Sequence, residues 1–116
     1  MKLALIGCGR IAAVHIESVI KYIADSAQPI EIVALIDTNL SNAEGFKRTF
    51  NLSCKIFSQL EEAVQDIDLD SAIIAIPHYL HEDLARRALN QKLNILLEKP
   101  MAHRLDSAFR ILDCAR

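Results

Sequence analysis

At 116 residues, with 52% hydrophobic and 24% charged side chains, the chain suits one domain whose core removes roughly two-thirds of the unfolded surface from water. A formal net charge of -2 leaves no broad basic field for nucleic acid or an anionic membrane surface, and no apolar run has the length of a bilayer span. A small-molecule site is the expectation.

Strand and helix patterns alternate from the first residues, as in a parallel sheet covered on both faces. The run Lys2 to Ile6 is the first strand, entered without the charged region and cleavage site of a secretory signal. A helix from about Arg10 to Ala24 follows, with Ile11, Val14, Ser18, Val19, Tyr22 and Ile23 expected on its inner stripe. Asp25 to Pro29 breaks it, Glu31 to Ile36 is a second strand, and a helix from about Leu40 to Phe50 turns Ala43, Phe46 and Phe50 inward. A short strand near Cys54 to Phe57 leads to a helix carrying Leu60, Ala63 and Val64, with Ser58 and Glu61 read as a capping box. Ser71 to Ile76 is a wholly apolar strand stopped by Pro77. The next helix, about Tyr79 to Gln91, aligns Leu80, Leu84, Ala85, Ala88 and Leu89. Leu93 to Leu97 is a fifth strand, and a last helix from Leu105 to Ala115 is expected to bury Leu105, Ala108, Leu112 and Ala115. Right-handed crossovers order the strands 3-2-1-4-5 in a three-layer αβα, doubly wound sheet of the Rossmann type, with a crevice between strands one and four.

The turn after strand one reads Gly7-Cys8-Gly9-Arg10-Ile11-Ala12 and lies between a strand and a helix, which is the context a dinucleotide-binding fingerprint requires. Gly7 suits the tight turn, Gly9 leaves the main chain open to a diphosphate, and Ala12 lets the helix approach the sheet. The anion is expected at the helix start, against unpaired N–H groups and the positive dipole end. Asp37 ends the second strand, about 25 residues beyond Ala12 against the usual interval of about 20, a difference the loop Asp25 to Pro29 absorbs. Its carboxylate suits the two adenosine-ribose hydroxyls and opposes a 2′-phosphate, and Thr38-Asn39 brings no arginine, so NAD is preferred to NADP. The alternative for Asp37 is a cap on the helix that starts near Leu40. Cys8, Cys54 and Cys114 are odd in number, far apart and outside any C-x-x-C pairing, which predicts reduced thiols and a cytoplasmic setting. The four histidines lack zinc-site spacing, so no metal is expected, and His15 and His103 receive no chemistry.

Three segments together, Gly7 to Ala12, Ile76-Pro77-His78-Tyr79-Leu80-His81 and Leu97-Glu98-Lys99-Pro100-Met101-Ala102, resemble the Gfo/Idh/MocA oxidoreductases, over essentially the whole chain. By that resemblance, Lys99 is the catalytic candidate beside the nicotinamide, Glu98 approaches the same end, and Pro100 shapes the turn. Pro77 and His81 match the motif that lines the cofactor crevice, whereas His78 departs from an asparagine common there. The resulting cofactor-contacting set is Gly7, Cys8, Gly9, Arg10, Ile11, Asp37, Thr38, Ile76, Pro77, His78, His81, Glu98, Lys99 and Pro100. A cation at Lys99 would stabilise the alkoxide character that grows as hydride leaves a secondary alcohol, or would relay the proton; the sequence leaves both roles open.

The resemblance further implies that residues 1–116 are the cofactor-binding portion of a longer dehydrogenase, homo-oligomeric when complete. Its substrate, a sugar, cyclitol or related polyol, would be held mainly by a second α/β domain. Two other classes stand beside this one, a non-catalytic nucleotide sensor and an interaction domain that binds no nucleotide. Glu98-Lys99-Pro100 weighs against the sensor, and the interaction domain would be favoured by a folded chain that does not bind NADH.

Overall fold

The computed structural model describes residues 1–116. Its elements are β1 (Lys2–Ile6), α1 (Arg10–Asp25), β2 (Glu31–Ile36), α2 (Leu40–Thr49), β3 (Lys55–Phe57), α3 (Leu60–Asp66), β4 (Ser71–Ile74), a 3₁₀ turn (His78–Leu80), α4 (His81–Asn90), β5 (Asn94–Leu97) and α5 (Leu105–Ala115). All strand pairs are parallel and the order is β3-β2-β1-β4-β5, as the alternating pattern predicts. The expected β4 is shorter by two residues: Ala75 still donates to Ile6 O at 2.8 Å, but Ile76 already belongs to the loop before Pro77.

Because successive strand residues point to opposite faces, each strand feeds two cores. Leu3 and Leu5 of β1, Leu35 of β2 and Ile73 of β4 pack with Ala12 and Ile16 of α1 and Ala43 and Phe46 of α2. Their neighbours Ala4, Ile6, Ala34, Ile36, Ala72 and Ile74 pack with Leu60 and Ala63 of α3, Ala85 and Ala88 of α4, and Ile111 of α5. Alanine recurs at these contacts because it lets helix and strand backbones approach closely. Each fully buried large aliphatic residue, Leu5 or Ile16 for example, contributes about 1.5–3 kcal/mol.

Three helical stripes differ from expectation. On α1 the inner residues are Ala12, Ile16, Val19 and Ile23, while Ile11 and Tyr22 are exposed and Val14 is 57% exposed. The glycine turn fixes the rotation of the helix at its first residue, and that rotation puts small Ala12, not Ile11, against the sheet. On α4 the expected Leu84, Ala85, Ala88 and Leu89 do face the core, and the difference lies at its start, where His81 is buried and Leu80 is turned outward in the 3₁₀ turn. On α5 they are Ser107 and Ile111, while Leu105 is 75% exposed and Leu112 also faces out. That helix lies along α4, and Arg110 fixes it there through a bidentate contact with Glu82, at 2.5 and 3.0 Å. The capping box is also displaced by one residue: Ser58 N–H and its hydroxyl donate to Glu62, at 3.0 Å each, while Glu61 turns to Arg87.

At the outer end of the sheet, β5 leaves one edge unpaired, and Leu96 on its α1 side is 53% exposed. No helix is long and apolar enough to cross a membrane. The three cysteines are unpaired, Cys8 and Cys54 being buried.

Candidate dinucleotide site

The glycine turn is built by hydrogen bonds that only a residue without Cβ permits. Gly7 N–H donates to Ile36 O at 2.8 Å, its φ is +91°, and a Cβ there would stand 2.2 Å from Ala75 O. That position is closed to every other residue by both backbone angle and space. Gly9 is the opposite case. It is the N-cap of α1 with φ −98°, no side chain caps the helix, and a Cβ built on it meets nothing within 4 Å. The open volume and the uncapped first turn together form an anion cradle, so the residues present fit the diphosphate of a dinucleotide.

Asp37 stands across the turn from this cradle. Its Oδ2 accepts the Cys8 N–H at 3.0 Å and its Oδ1 accepts the Asn39 N–H at 2.8 Å, so the carboxylate is oriented from both sides. The cap on α2 comes from Asn39, whose Oδ1 accepts the Ser41 N–H at 3.1 Å. The alternative reading of Asp37 as that cap is thereby removed. Burial, then the nearby Asp37 and Cys54, push the Cys8 thiol up to about 12, so it remains protonated and non-nucleophilic at neutral pH.

A cleft of about 530 Å³ runs over these groups. Of the candidate residues it is lined by Gly7, Cys8, Gly9, Asp37, Thr38, Ile76 and Pro77. Asn42, Ser58, Gln59, Leu80, Asp83, Leu84 and Arg87 also line it; Asn42, Gln59, Asp83 and Arg87 were not singled out from sequence, because they come from helices and loops with no motif of their own. Arg87 is already engaged: Glu61 takes it in a bidentate contact at 2.8 and 2.5 Å and Asp83 at 3.0 Å. Those pairings hold the Glu61 carboxyl below its usual range and raise Arg87 further. Arg10 and Ile11 sit exposed at the start of α1, and His78 is exposed on the 3₁₀ turn, edge-on to Tyr79.

On the β5 side, Glu98 N–H donates to Ile74 O at 3.1 Å, and the Lys99-Pro100 peptide is cis. Lys99 is exposed, with no side-chain hydrogen bond or ion pair to the rest of the chain. His81 is not a wall of the cleft. Its ring is 1% exposed, with Nδ1 2.8 Å from Pro100 O and 3.2 Å from Met101 O, and Nε2 3.0 Å from Ile76 O. As the first residue of α4 it is swallowed between two loops, which joins the segment after β4 to the segment after β5. His15, which carries no motif, meets Glu98: its Nε2 lies 2.6 Å from Oε1, while Oε2 accepts the Lys99 N–H at 3.0 Å. These contacts, the imidazole first, lower the Glu98 carboxyl pKa. The available signal was position alone, His15 falling within the first two turns of the helix that starts at the glycine turn.

A parallel 3-2-1-4-5 sheet whose first turn is a Gly-x-Gly cradle faced by an acidic residue defines a dinucleotide-binding Rossmann domain. Residues 1–116 match the family model described as oxidoreductase family, NAD-binding Rossmann fold, and the chain belongs to this Gfo/Idh/MocA family. It is 31% identical over 112 residues to an inositol 2-dehydrogenase of an Arthrobacter species, covering 97% of this chain and 32% of that protein. It is 32% identical over 114 residues to a glucose-6-phosphate 3-dehydrogenase of Bacillus subtilis, covering 98% and 30%. Among solved structures, the myo-inositol dehydrogenase of Lactobacillus casei in complex with NAD(H) and myo-inositol superposes with a TM-score of 0.86 at 30% identity, over 98% of this chain and 32% of that one. The WlbA dehydrogenase of Bordetella pertussis, in complex with NADH and UDP-GlcNAcA, superposes with a TM-score of 0.88 at 26% identity, over 99% and 33%. The chain thus spans about a third of the length of these relatives.

Proposed function

We propose that these residues form the NAD(H)-binding portion of a longer dehydrogenase that oxidises a hydroxyl, or reduces the corresponding keto group, of a sugar, cyclitol or related polyol. The observation that carries the reading is the open, uncapped cradle at Gly9 with Asp37 oriented beside it. The main-chain N–H groups of the segment Gly9 to Ile11 would hold the diphosphate, and Asp37, steadied by the Cys8 N–H, would hold the adenosine ribose with Thr38. Ile76, Pro77 and His78 would border the path toward the nicotinamide, and Glu98, Lys99 and Pro100 its far end. His81 acts from beneath, through the carbonyls it holds.

A bound nicotinamide supplies a hydride acceptor or donor. Lys99 supplies an unpaired ammonium, which places the substrate oxygen and stabilises negative charge growing on it. Substrate walls and subunit contacts belong to the rest of the longer protein, a division supported by the one-third coverage of the relatives. A 2′-phosphate would stand against the Asp37 carboxylate, and Arg87, saturated by Glu61 and Asp83, is not free to offset it. Hydrogen bonds to a charged group contribute about 1.5–3 kcal/mol, so NADH should bind roughly tenfold to a hundredfold more tightly than NADPH.

Titration of the chain with NADH and NADPH, before and after Asp37→Ser, tests this. The two affinities should converge in the variant; an unchanged ratio removes Asp37 from the ribose site, and no binding to the folded wild type removes the cofactor. Binding with no polyol turnover by the longer protein would favour a nucleotide sensor instead.

A further inference from the structure

The Glu98 carboxylate is shared between two elements that sequence places far apart. One oxygen meets the imidazole of α1 and the other takes the main-chain N–H of Lys99, at 2.6 and 3.0 Å. Both side chains of the His15–Glu98 pair are largely withdrawn from water, at 22% and 18% exposure, so this contact is less screened than the surface ion pairs elsewhere. Beyond Lys99, the carbonyls of Pro100 and Met101 are held by His81. The lysine backbone is therefore tied on both sides while its ammonium has no partner.

We propose that His15 is a positioning residue for Lys99, acting through Glu98. Helix α1 begins at the glycine cradle, and His15 extends from the same rigid helix to the loop that carries the cation. The two ends of the site are thereby held in one frame, and the Lys99 stem is preorganised without touching the ammonium. Without the imidazole, Oε1 loses its partner in a half-buried place. The carboxylate then rotates toward water, which also releases the Lys99 N–H.

This inference rests on the proposed cofactor reading only for its ligand arm. The 116-residue chain is compared as wild type, His15→Leu and His15→Gln, the last keeping a donor at similar reach. Two-dimensional NMR follows the Lys99 amide proton, and calorimetric titration follows NADH and ADP-ribose, which lacks the nicotinamide. In His15→Leu the Lys99 amide resonance should move upfield toward its unstructured value and NADH affinity should fall about tenfold, a loss of one charge-assisted contact. ADP-ribose affinity should stay within about twofold, which also reports an intact fold. His15→Gln should recover most of both effects. An unmoved amide resonance, equal losses for the two ligands, or a glutamine variant as impaired as the leucine one overturns the proposal. If the wild type binds neither ligand, the cofactor reading fails and the amide resonance alone decides whether His15 positions Lys99.

Discussion

Gly7 and Gly9 are two residues apart in one turn, and exchange for alanine should separate stability from binding. At Gly7 the new Cβ would lie 2.2 Å from Ala75 O and 2.9 Å from Ala75 C, both backbone atoms that no rotamer change can move. A positive φ costs a non-glycine residue about 1–2 kcal/mol. Relieving the clash strains the 2.8 Å bonds from Gly7 N–H to Ile36 O and from Ala75 N–H to Ile6 O, each contributing about 0.5–1.5 kcal/mol. The expected loss is about 3–4 kcal/mol, a large part of the stability of about 6–17 kcal/mol for a domain of this size. With a urea m-value of about 2 kcal/mol/M, the midpoint should fall by about 1.5–2 M, read by far-ultraviolet circular dichroism. At Gly9 the φ of −98° suits alanine and the Cβ meets no atom within 4 Å, so stability should be unchanged or raised by up to about 1 kcal/mol. That methyl group occupies the space proposed for the diphosphate, so NADH affinity should fall by at least about tenfold. A Gly7→Ala protein as stable as wild type, or a Gly9→Ala protein that binds NADH normally, would refute the respective halves of this reasoning.

Acid should loosen α5 before the rest of the fold. Arg110 holds the Glu82 carboxyl at about 2 against an ordinary 4.5, and Arg104, then Arg110, hold that of Asp106 at about 2 against an ordinary 3.8. Depressed carboxyl pKa values stabilise the fold fully above the unfolded-state values, and this contribution fades as pH falls from about 5 toward 2. Thermal midpoints of Arg110→Met should therefore depend less on pH than those of wild type over that window; parallel curves would exclude the triad as the cause. Ile16→Ala should cost about 2–5 kcal/mol in urea unfolding, whereas Val14→Ala on the exposed side of the same helix should change stability by about 0.5 kcal/mol or less. Equal losses would restore the stripe expected from sequence. In the folded chain at pH 8, Cys8 should resist a thiol reagent such as DTNB, because it is buried and its pKa is pushed up to about 12; rapid labelling mapped to Cys8 would contradict that environment. In the longer protein, Lys99→Met should lower kcat with a polyol substrate by about 10²-fold, and an unaffected kcat would take Lys99 out of the chemistry.

Periodicity, glycine placement and the positions of Asp37 and Glu98-Lys99-Pro100 sufficed to order five strands and to bring four loops to one end of the sheet. They suffice because a parallel αβ unit allows one crossover hand, and because only glycine tolerates the angle and the crowding at position 7. Sequence could not decide rotation about a helix axis. The fingerprint put Ala12 against the sheet, but apolar periodicity also admitted Ile11, Val14 and Tyr22 to the inner stripe, and how far that stripe turns depends on where the preceding turn releases the chain. Nor could it tell a wall of the cleft from a clamp beneath it. His81 stands in a motif and is buried under carbonyls, while His15 stands in none and takes the carboxylate next to Lys99. A side chain's role in these two cases is set by which polar groups of distant segments converge on it, and that convergence exists only after the sheet has placed the ends of β4 and β5 beside α1.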